Sequence, residues 1–470
     1  MAIDDWMYAS YMRARPYIRG KGDAKTRHPE LTRLLLDKLG RPDEGVPAVV
    51  ITGSKGKGSV AALTFFVLRA AGYRVGLFTS PHLLNVRERI RVDGRAIPEK
   101  DFVRLSNVVK KAALDVPEAP EAARYLGPVG LALSLAYLYF REQGVDVAVV
   151  ESGRGGRFDE SSVIDHDVAV LTSMFPEHLE ALGPTLRDIV WHKAGIITPS
   201  VRDVIIGRQT EEVMAYLKDD RKHEHAFPRW SVFGEDVFAE VLRADLSGTL
   251  ARLSRLHMSF TTLSSHTHMT GMAPLRTIDV TVALPGAYQA MHAALAWVAA
   301  EALIQKSLSD EVIRQGLKSA YWPGRLEVIE WSPLMLLDGA VSDAGAQEAL
   351  DLMKRSGVSD CRAVVGLSGD KDIAGVVRAL QGQCQRIAFT YPKNTYLPRA
   401  DYSPYVALKC ANKKNLDLKS VRSAEFPDLE RALSWLRDDL SPDGGCLLLG
   451  TQSFVADVLQ HFGRTTLDLV

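Results

Sequence analysis

The chain has 470 residues, of which 46% are hydrophobic and 24% are charged, and its 57 basic side chains are balanced by 57 acidic ones. This length allows two or three globular domains, and a net charge of zero gives no reason to expect a nucleic acid or an anionic membrane as a partner. The N-terminus has early acidic residues and no apolar core, and no run of about 18 apolar residues occurs. We therefore expect a cytoplasmic protein without a signal peptide or a membrane span.

Short β-branched apolar runs alternate with helical patterns in the first half of the chain. This alternation is typical of a parallel sheet that is covered by helices on both faces. The predicted strands and the helices between them lie at 46–52, 59–72 (helix), 73–79, 128–143 (helix), 145–151, 167–173 and 203–207.

A glycine-rich loop, GSKGKGS, joins the first predicted strand to the first predicted helix. Glycines allow backbone N–H groups to turn toward a phosphate, and the N-terminus of the helix adds its dipole. Lys57 is expected to reach the β- and γ-phosphates of a nucleotide, and the Ser59 hydroxyl is expected to lie beside Mg²⁺. Gly58 separates the lysine from the serine, so the match to the P-loop pattern is imperfect, and a purely structural turn is the alternative.

Glu151 ends the strand that is predicted at 145–151. The carboxyl ends of parallel strands meet at one edge of an open α/β sheet, so Glu151 and the P-loop are expected to lie close together. A carboxylate at this position can hold Mg²⁺ directly or through water. A glycine-rich segment with two arginines, SGRGGRFDESS, follows it. Together these features predict a nucleotide site with bound magnesium.

The stretch from 208 to 283 is polar and weakly periodic, and it contains scattered histidines. We predict strands and loops that decorate the first domain. Metal binding by these histidines is one alternative, while solvated loop positions are the commoner explanation. The histidines are those of KHEH (222–225), His257, His266 and His268.

The alternation restarts after a helix predicted at 285–303, with strands at 334–340, 362–369, 386–392 and 445–451. We predict an α/β protein with a P-loop N-terminal domain at 1–327, built on a mainly parallel sheet, and a smaller Rossmann-like C-terminal α/β domain at 334–470. The spacing of the four cysteines fits no zinc site, so we expect reduced thiols. They are Cys361, Cys384, Cys410 and Cys446.

Taken in order, these motifs resemble those of the folylpolyglutamate synthase and dihydrofolate synthase family, a branch of the Mur-type amide ligases. GSKGKGS resembles the family's GTNGKGS loop, and ESGRGGRFDESSVI (151–164) resembles EVGLGGRLDATNVI. The most specific match is TSPHLLNVRERIRVDGRAIPEKDF at 79–102. A block at 175–197 and the segments PGAYQ, WPGRLE, LLDGA and DKDIAG follow in the family's order, so the resemblance covers nearly the whole chain.

The resemblance implies two α/β domains with ATP in the cleft between them. It also implies a ligase that activates a carboxylate as an acyl phosphate and couples it to an amino acid, here glutamate onto a folate-like acid, releasing ADP and phosphate. Both steps concentrate negative charge, so such a site needs cations and backbone donors. The expected partners are a small-molecule carboxylate and an amino acid, and the oligomeric state stays open.

The resemblance also assigns roles to single positions. Ser59, Ser80 and Glu151 resemble ligands of a first Mg²⁺, and His178 resembles a ligand of a second. Lys193 matches a lysine that is often carbamylated in the family, and with Lys57, Glu151 and His178 it completes the expected catalytic set. The expected ATP contacts are Gly53, Ser54, Lys55, Gly56, Lys57, Gly58, Ser59, Gln289, Arg325 and Asp338. Each of four positions has a purely structural alternative: a turn cap at Ser80, a helix start at His178, a surface position at Lys193 and simple helix packing at Gln289.

Three positions depart from the family pattern. The family's DGAHNP reads Asp338-Gly339-Ala340-Val341-Ser342-Asp343, its His-Gln with a following Asn reads Tyr288-Gln289 and His292, and its Asp-His pair reads Glu177-His178. These changes leave two further hypotheses open: the same ligase chemistry on a non-folate acid and amine, and an ATP-binding regulatory protein without turnover. A plain P-loop kinase or GTPase would not explain the second domain.

Overall fold

The computed structural model describes residues 4–220, 228–256, 275–394, 398–407 and 422–470. Two mainly parallel sheets with helices on their faces, and one small antiparallel sheet, organise these ranges. The predicted α/β class is confirmed. The histidines of 222–225, His257, His266 and His268 lie outside the described residues, as does Cys410, so the metal-binding alternative for these histidines stays a hypothesis.

The first sheet is built from the apolar runs of the first half of the chain. Its strands are β1 (Ala48–Thr52), β2 (Val75–Phe78), β3 (Ile90–Val92), β4 (Arg95–Ala96), β5 (Val147–Glu151), β6 (Val168–Leu171), β7 (Asp203–Ile206) and β8 (Arg229–Val232). The order across the sheet is β4-β3-β2-β5-β1-β6-β7-β8. The strands from β2 to β8 in this order run parallel, and the hairpin of β3 and β4 forms an antiparallel edge.

Helices bury both faces of this sheet. They are α1 (Asp5–Ile18), α2 (Asp23–Thr26), α3 (Pro29–Lys38), α4 (Lys57–Ala70), α5 (Glu99–Ala113), α6 (Pro128–Glu142), α7 (Leu179–Leu182), α8 (Leu186–Ala194), α9 (Glu211–Asp220), α10 (Gln289–Ile304) and α11 (Asp310–Lys318). Val50 of β1 packs in the cluster that contains α6, whereas Val49 and Ile51 pack in the cluster of α4 and α10. The continuous apolar character of β1 therefore reflects burial on both sides.

The polar stretch after β7 contains more helix than the sequence indicated. The expectation of strands and loops alone at 208–283 is wrong for α9, where Val213 and Leu217 share one buried face at i and i+4. The expected strands do follow, as a three-stranded antiparallel sheet that packs with α10 and α11. They are β9 (Val237–Asp245), β10 (Gly248–Leu256) and β11 (Leu275–Val282).

The second sheet and its helices form what we call the second unit, and the elements before them form the first unit. The strands of the second unit are β12 (Glu327–Trp331), β13 (Leu334–Asp338), β14 (Cys361–Gly366), β15 (Arg386–Phe389), β16 (Arg422–Glu425) and β17 (Gly445–Gly450). Its helices are α12 (Asp343–Arg355), α13 (Ile373–Leu380), α14 (Ser403–Ala407), α15 (Leu429–Arg437) and α16 (Gln452–His461). The order is β12-β13-β17-β14-β15-β16, and only β12 runs antiparallel to its neighbour.

The segment expected to connect the two domains includes a strand, since β12 pairs with β13. The domain limits 1–327 and 334–470 stay a prediction. Of the described helices, none combines the length and the apolar character that crossing a membrane requires.

The topology brings several loops to one cleft. The parallel strands β2, β5, β1 and β6 end side by side, so the loops after them share one edge of the first sheet. In the second unit, β13 ends at Asp338 and α12 begins nearby. The two units meet here, because a Cβ atom built on Gly345 of α12 would lie 3.0 Å from Nζ of Lys55 in the P-loop.

Candidate active site

The P-loop owes its shape to two glycines in the left-handed backbone region, Gly53 (φ +144°) and Gly56 (φ +94°). A Cβ atom on Gly53 would lie 1.8 Å from Oγ1 of Thr172, and one on Gly56 would lie 2.4 Å from Nε2 of His292. No other residue fits either position without a shift. Gly56 immediately precedes α4, so the free N–H groups of the first turn of α4 lie in the loop.

Hydrogen bonds tie the same loop to the segment after β6. The Ser54 amide donates to the carbonyl of Ser173 at 2.9 Å, and the Ser54 hydroxyl donates to the carbonyl of Phe175 at 3.0 Å. The loop is therefore held on one side before any ligand binds. Ser59, whose side chain is buried, lies in the first turn of α4.

Two lysines from distant parts of the chain meet beneath the loop. Lys57 Nζ and Lys193 Nζ each donate to the carbonyl oxygen of Gly53 at 2.8 Å. Lys193 also donates to the carbonyl of Arg154 at 2.9 Å and lies 2.8 Å from Oε1 of Glu177. Burial and, next, the nearby Lys57 lower the pKa of Lys193 to about 8, and Glu177 opposes the shift. The surface position considered for Lys193 is wrong, because its side chain is fully buried.

Glu151 lies at the end of β5, beside the P-loop as predicted. Its Oε2 accepts a hydrogen bond from the Ser80 amide at 3.2 Å, and a Cβ atom on Gly58 would lie 3.4 Å from its Oε1. Burial raises the pKa of this carboxyl, and Lys57 and the Ser80 amide oppose that change. The Ser80 hydroxyl accepts a hydrogen bond from Nη1 of Arg89 at 3.2 Å.

His178 lies at the start of the short helix α7, with φ +49° and ψ +42°. Its Nε2 is 3.8 Å from Oε2 of Glu177, the residue that also pairs with Lys193. Burial lowers the pKa of His178, Glu177 opposes this, and Lys371 of the second unit lowers the pKa further. The lowered pKa favours the neutral imidazole, which is the form that can bind a metal. The structure links His178 to Lys193 through Glu177.

Gln289 and His292 lie in the first turn of α10, and their side chains are buried. Nδ1 of His292 is 3.0 Å from Oε1 of Gln289, while Nε2 of Gln289 is buried without a hydrogen-bond partner among the described residues. Burial lowers the pKa of His292 to about 3, with Lys55 and Arg325 adding to the effect. The neutral imidazole of His292 thus stands against the P-loop at Gly56.

Asp338 and Arg325 supply the second unit's side of the cleft. Oδ2 of Asp338 accepts from the Leu326 amide at 2.9 Å. Burial raises the pKa of Asp338, and Arg325 and Lys55 oppose that change. Val341, which replaces a polar residue of the family, packs against the apolar core of the second unit.

Sequence reasoning missed the residues that hold the loop after β5. Arg27, in the turn after α2, lies 3.3 Å from Asp159 and 2.7 Å from Glu160, both in that loop. Arg154 of the same loop donates to Asp23 at 2.9 Å. Adjacent acids at 159–160 were a local signal for a cationic partner, but nothing near Arg27 in the sequence identified it.

The oxygen donors at the P-loop fit Mg²⁺. Within the described ranges, no three His, Cys, Asp or Glu side chains converge as a metal-binding group. Mg²⁺ commonly takes only one or two carboxylates and completes its shell with substrate phosphates and water. Glu151 is a carboxylate of this kind at the P-loop, and burial raises its pKa, a change that a bound cation would reverse.

Comparison with known proteins gives consistent similarities. The family model of the Mur ligase middle domain matches residues 51–300, which is more than half of the chain. A probable bifunctional folylpolyglutamate synthase/dihydropteroate synthase of Haloferax volcanii is 34% identical over 352 residues, or 75% of this chain and 39% of that longer protein. A dihydrofolate synthase/folylpolyglutamate synthase of Mycobacterium tuberculosis is 31% identical over 88% of this chain and 84% of its own length.

A solved structure extends the similarity to the whole fold. The Mycobacterium tuberculosis folylpolyglutamate synthase complexed with ADP and AMPPCP superimposes with a TM-score of 0.78 at 26% sequence identity. The match covers 98% of this chain and 99% of that chain, so it includes the second unit as well as the P-loop.

Proposed function

This chain belongs to the folylpolyglutamate synthase and dihydrofolate synthase branch of the Mur ligase family, and from that premise we propose that it uses ATP to join glutamate to a folate-type carboxylate, releasing ADP and phosphate. The family predicted from the motifs is thereby confirmed. The observation that carries the proposal is the meeting of Lys57 and Glu151 at the P-loop, opposite Asp338 of the second unit.

ATP binds with its phosphates on the P-loop in this proposal. The N–H groups at the start of α4 and the ammonium group of Lys57 surround the β- and γ-phosphates. Gln289 contacts the rest of the nucleotide from α10 of the first unit, and Arg325 and Asp338 contact it from the side of the second unit. Ligands held from both units favour closure of the cleft during turnover.

Ser59, Ser80 and Glu151 would hold one Mg²⁺, and His178 a second. Bound Mg²⁺ neutralises the charge that develops on the transferred phosphoryl group. Our assignment of His178 is supported by its lowered pKa and its position beside Glu177.

The reaction itself proceeds in two displacements. A carboxylate oxygen of the acid attacks the γ-phosphorus, and the bond to the β-phosphate oxygen breaks, which gives an acyl phosphate and ADP. The neutral amine of glutamate then attacks the acyl carbon, phosphate leaves, and the amine loses a proton. Lys57 lies where negative charge accumulates, and its cationic donor lowers the energy of that charge.

We also propose that Lys193 becomes carbamylated. Its amine is buried and its pKa is about 8, so a substantial neutral fraction is available near neutral pH. A neutral amine adds to CO₂ and releases one proton, which yields an anionic carbamate. Such a group, beside His178 and Glu177, would offer oxygen donors to a second Mg²⁺.

The purified protein incubated with ATP, Mg²⁺, glutamate and either dihydropteroate or a reduced folate tests the function. We expect ADP release that depends on both the acid and glutamate, and a product that mass spectrometry shows to be heavier by one glutamyl residue. ADP release only with unrelated acids would favour the non-folate alternative. If the protein binds ATP but releases no ADP with any pair of acid and amino acid, the regulatory alternative is favoured.

A further inference from the structure

The C-terminal tail, residues 466–470, returns from the second unit to the first. The Ala96 amide donates to the carbonyl of Leu467 at 2.9 Å, and the Leu469 amide donates to the carbonyl of Gly94 at 2.9 Å. Leu469 is buried in the core cluster of α4 and α10. The tail therefore adds a short extended segment beside β4, at the edge of the first sheet.

Thr466 begins this tail with a buried polar contact. Its hydroxyl donates to Oε1 of Glu88 at 2.5 Å, and both side chains are buried. The Glu88 carboxylate also accepts from the backbone amides of Leu83, Leu84 and Asn85, at 2.9, 2.9 and 2.6 Å. One carboxylate thus organises three consecutive amides, and the tail supplies its remaining donor.

Those amides belong to the loop that carries Ser80. The Thr79 amide donates to the carbonyl of Arg89 at 3.0 Å, which closes the loop at its base. The Arg89 guanidinium reaches the Ser80 hydroxyl, and the Ser80 amide reaches Glu151. Hydrogen bonds on three sides of this loop therefore connect Glu88 to Ser80.

Arg91 makes a second connection from the tail to the P-loop. Its buried guanidinium donates to the carbonyls of both Glu88 and Thr466, the latter at 2.6 Å. The same group lies over the ring of Trp322, 5.8 Å from its centroid. A Cβ atom on Gly58 would lie 3.0 Å from Nε1 of Trp322, so the indole packs directly on the P-loop.

We propose that Thr466 and Glu88 are positioning residues for the nucleotide site, through which the C-terminal tail holds the Ser80 loop against Glu151. This rests on the proposed function only in taking Ser80 and Glu151 to act on MgATP. Leu469, the backbone pairing beside β4 and the bond from Arg91 to the Thr466 carbonyl anchor the tail without the Thr466 hydroxyl. The buried hydroxyl and carboxylate contribute no apolar burial, and a buried carboxylate is costly unless all its acceptor positions are used. We therefore explain the contact between the Thr466 hydroxyl and the Glu88 carboxylate by its ordering of the loop that carries Ser80.

Three variants of Thr466 test this proposal. Thr466→Ser and Thr466→Ala remove the same methyl group, and only the second removes the hydroxyl, while Thr466→Val removes the hydroxyl and keeps the volume. Thr465→Ser is the control, since Thr465 is the exposed neighbour and serine keeps the hydroxyl that accepts from the Leu467 amide. Two readouts apply to the full chain: the dissociation constant of MgATP by calorimetry, and hydrogen exchange of the 80–89 segment without nucleotide.

We expect Thr466→Ala and Thr466→Val to weaken MgATP binding roughly tenfold, the effect of one hydrogen bond to a charged group. Exchange at the amides of residues 83–85 should accelerate in the same two variants. Thr466→Ser and Thr465→Ser should match the unchanged protein in both measurements.

The proposal would be overturned if Thr466→Ser and Thr466→Ala lost equal MgATP affinity. It would also be overturned if the variants lowered the melting temperature but left MgATP affinity and local exchange unchanged. Neither readout needs a folate or glutamate. If the unchanged protein binds MgATP but forms no glutamyl product, the proposed function fails and the tail proposal is still decided by these variants.

Discussion

Lys57 and Lys193 donate hydrogen bonds to one and the same carbonyl oxygen, that of Gly53, each at 2.8 Å. Two ammonium groups so close together repel each other, and one of them is fully buried. This explains a pKa near 8 for Lys193, where burial is the larger cause and Lys57 the second. A multiply charged phosphate that binds here offsets the repulsion between the two ammonium groups. The site without ligand is therefore already organised for an anion.

Lys57→Ala should nearly abolish turnover. The variant removes a preorganised charge at the transferred phosphate, a loss that typically costs roughly 10²–10³-fold in rate. ADP release at saturating ATP measures it. Arg69→Ala, at the exposed far end of α4, is the matched control and should retain its rate. A Lys57→Ala enzyme with a near-normal rate would refute our placement of the phosphates.

Glu151→Gln should raise the Mg²⁺ concentration that gives half-maximal activity. The amide keeps the shape of the side chain and its contact with the Ser80 amide through oxygen, but it removes the anionic charge. Titration of MgCl₂ at fixed ATP measures the change, with Glu121→Gln at an exposed site as the control. An unchanged Mg²⁺ dependence would show that Glu151 is not a metal ligand.

Carbamylation of Lys193 should increase as the pH rises from 7 to 9. The pKa is lowered from the ordinary 10.5 to about 8, so protonated amine dominates below that value and nucleophilic neutral amine above it. A ¹³C-labelled bicarbonate sample should show a carbamate signal in ¹³C NMR that grows through this range. Lys193→Arg should lack the signal, and a signal that persists in that variant would assign it to another amine.

Gly56→Ala should lose ATP binding. The substitution imposes a side chain at φ +94° and places its Cβ against His292 Nε2, which is 2.4 Å away. Gly144→Ala is a matched control, because Gly144 also has a positive φ of +60° but no atom within 4 Å of its Cβ position. Both variants incur backbone strain, whereas only Gly56→Ala collides with the site. Equal nucleotide affinity in the two variants would argue against a close-packed loop.

The sequence predicted those parts of the site that depend on neighbouring residues. The apolar run of β1, the loop after it and the helical pattern of α4 follow one another in the chain, and Glu151 ends a strand whose parallel pairing with β1 follows from the alternation. The edge strand β12 was not predicted, because the apolar run around Val328 and Ile329 is too short to distinguish from a linker.

Other contacts could not be predicted, because they join residues that are distant in the chain. Lys193 reaches Gly53 across 140 positions, and Thr466 reaches Glu88 across 378. No local period records such pairs, since they are fixed only when the helices and the tail pack on the first sheet. The ion pair of Glu177 with Lys193 was missed for the same reason, although both residues lay within one recognised block.

Isotope tracing tests the central claim most directly, that the site around Lys57 transfers the γ-phosphoryl group of ATP to the acid's carboxylate. The acid is labelled with ¹⁸O in its reacting carboxyl group and incubated with ATP, Mg²⁺, glutamate and the enzyme. Because the acyl phosphate breaks between carbon and oxygen, one ¹⁸O atom should appear in each released phosphate. Phosphate without ¹⁸O, formed alongside the glutamyl product, would contradict the account.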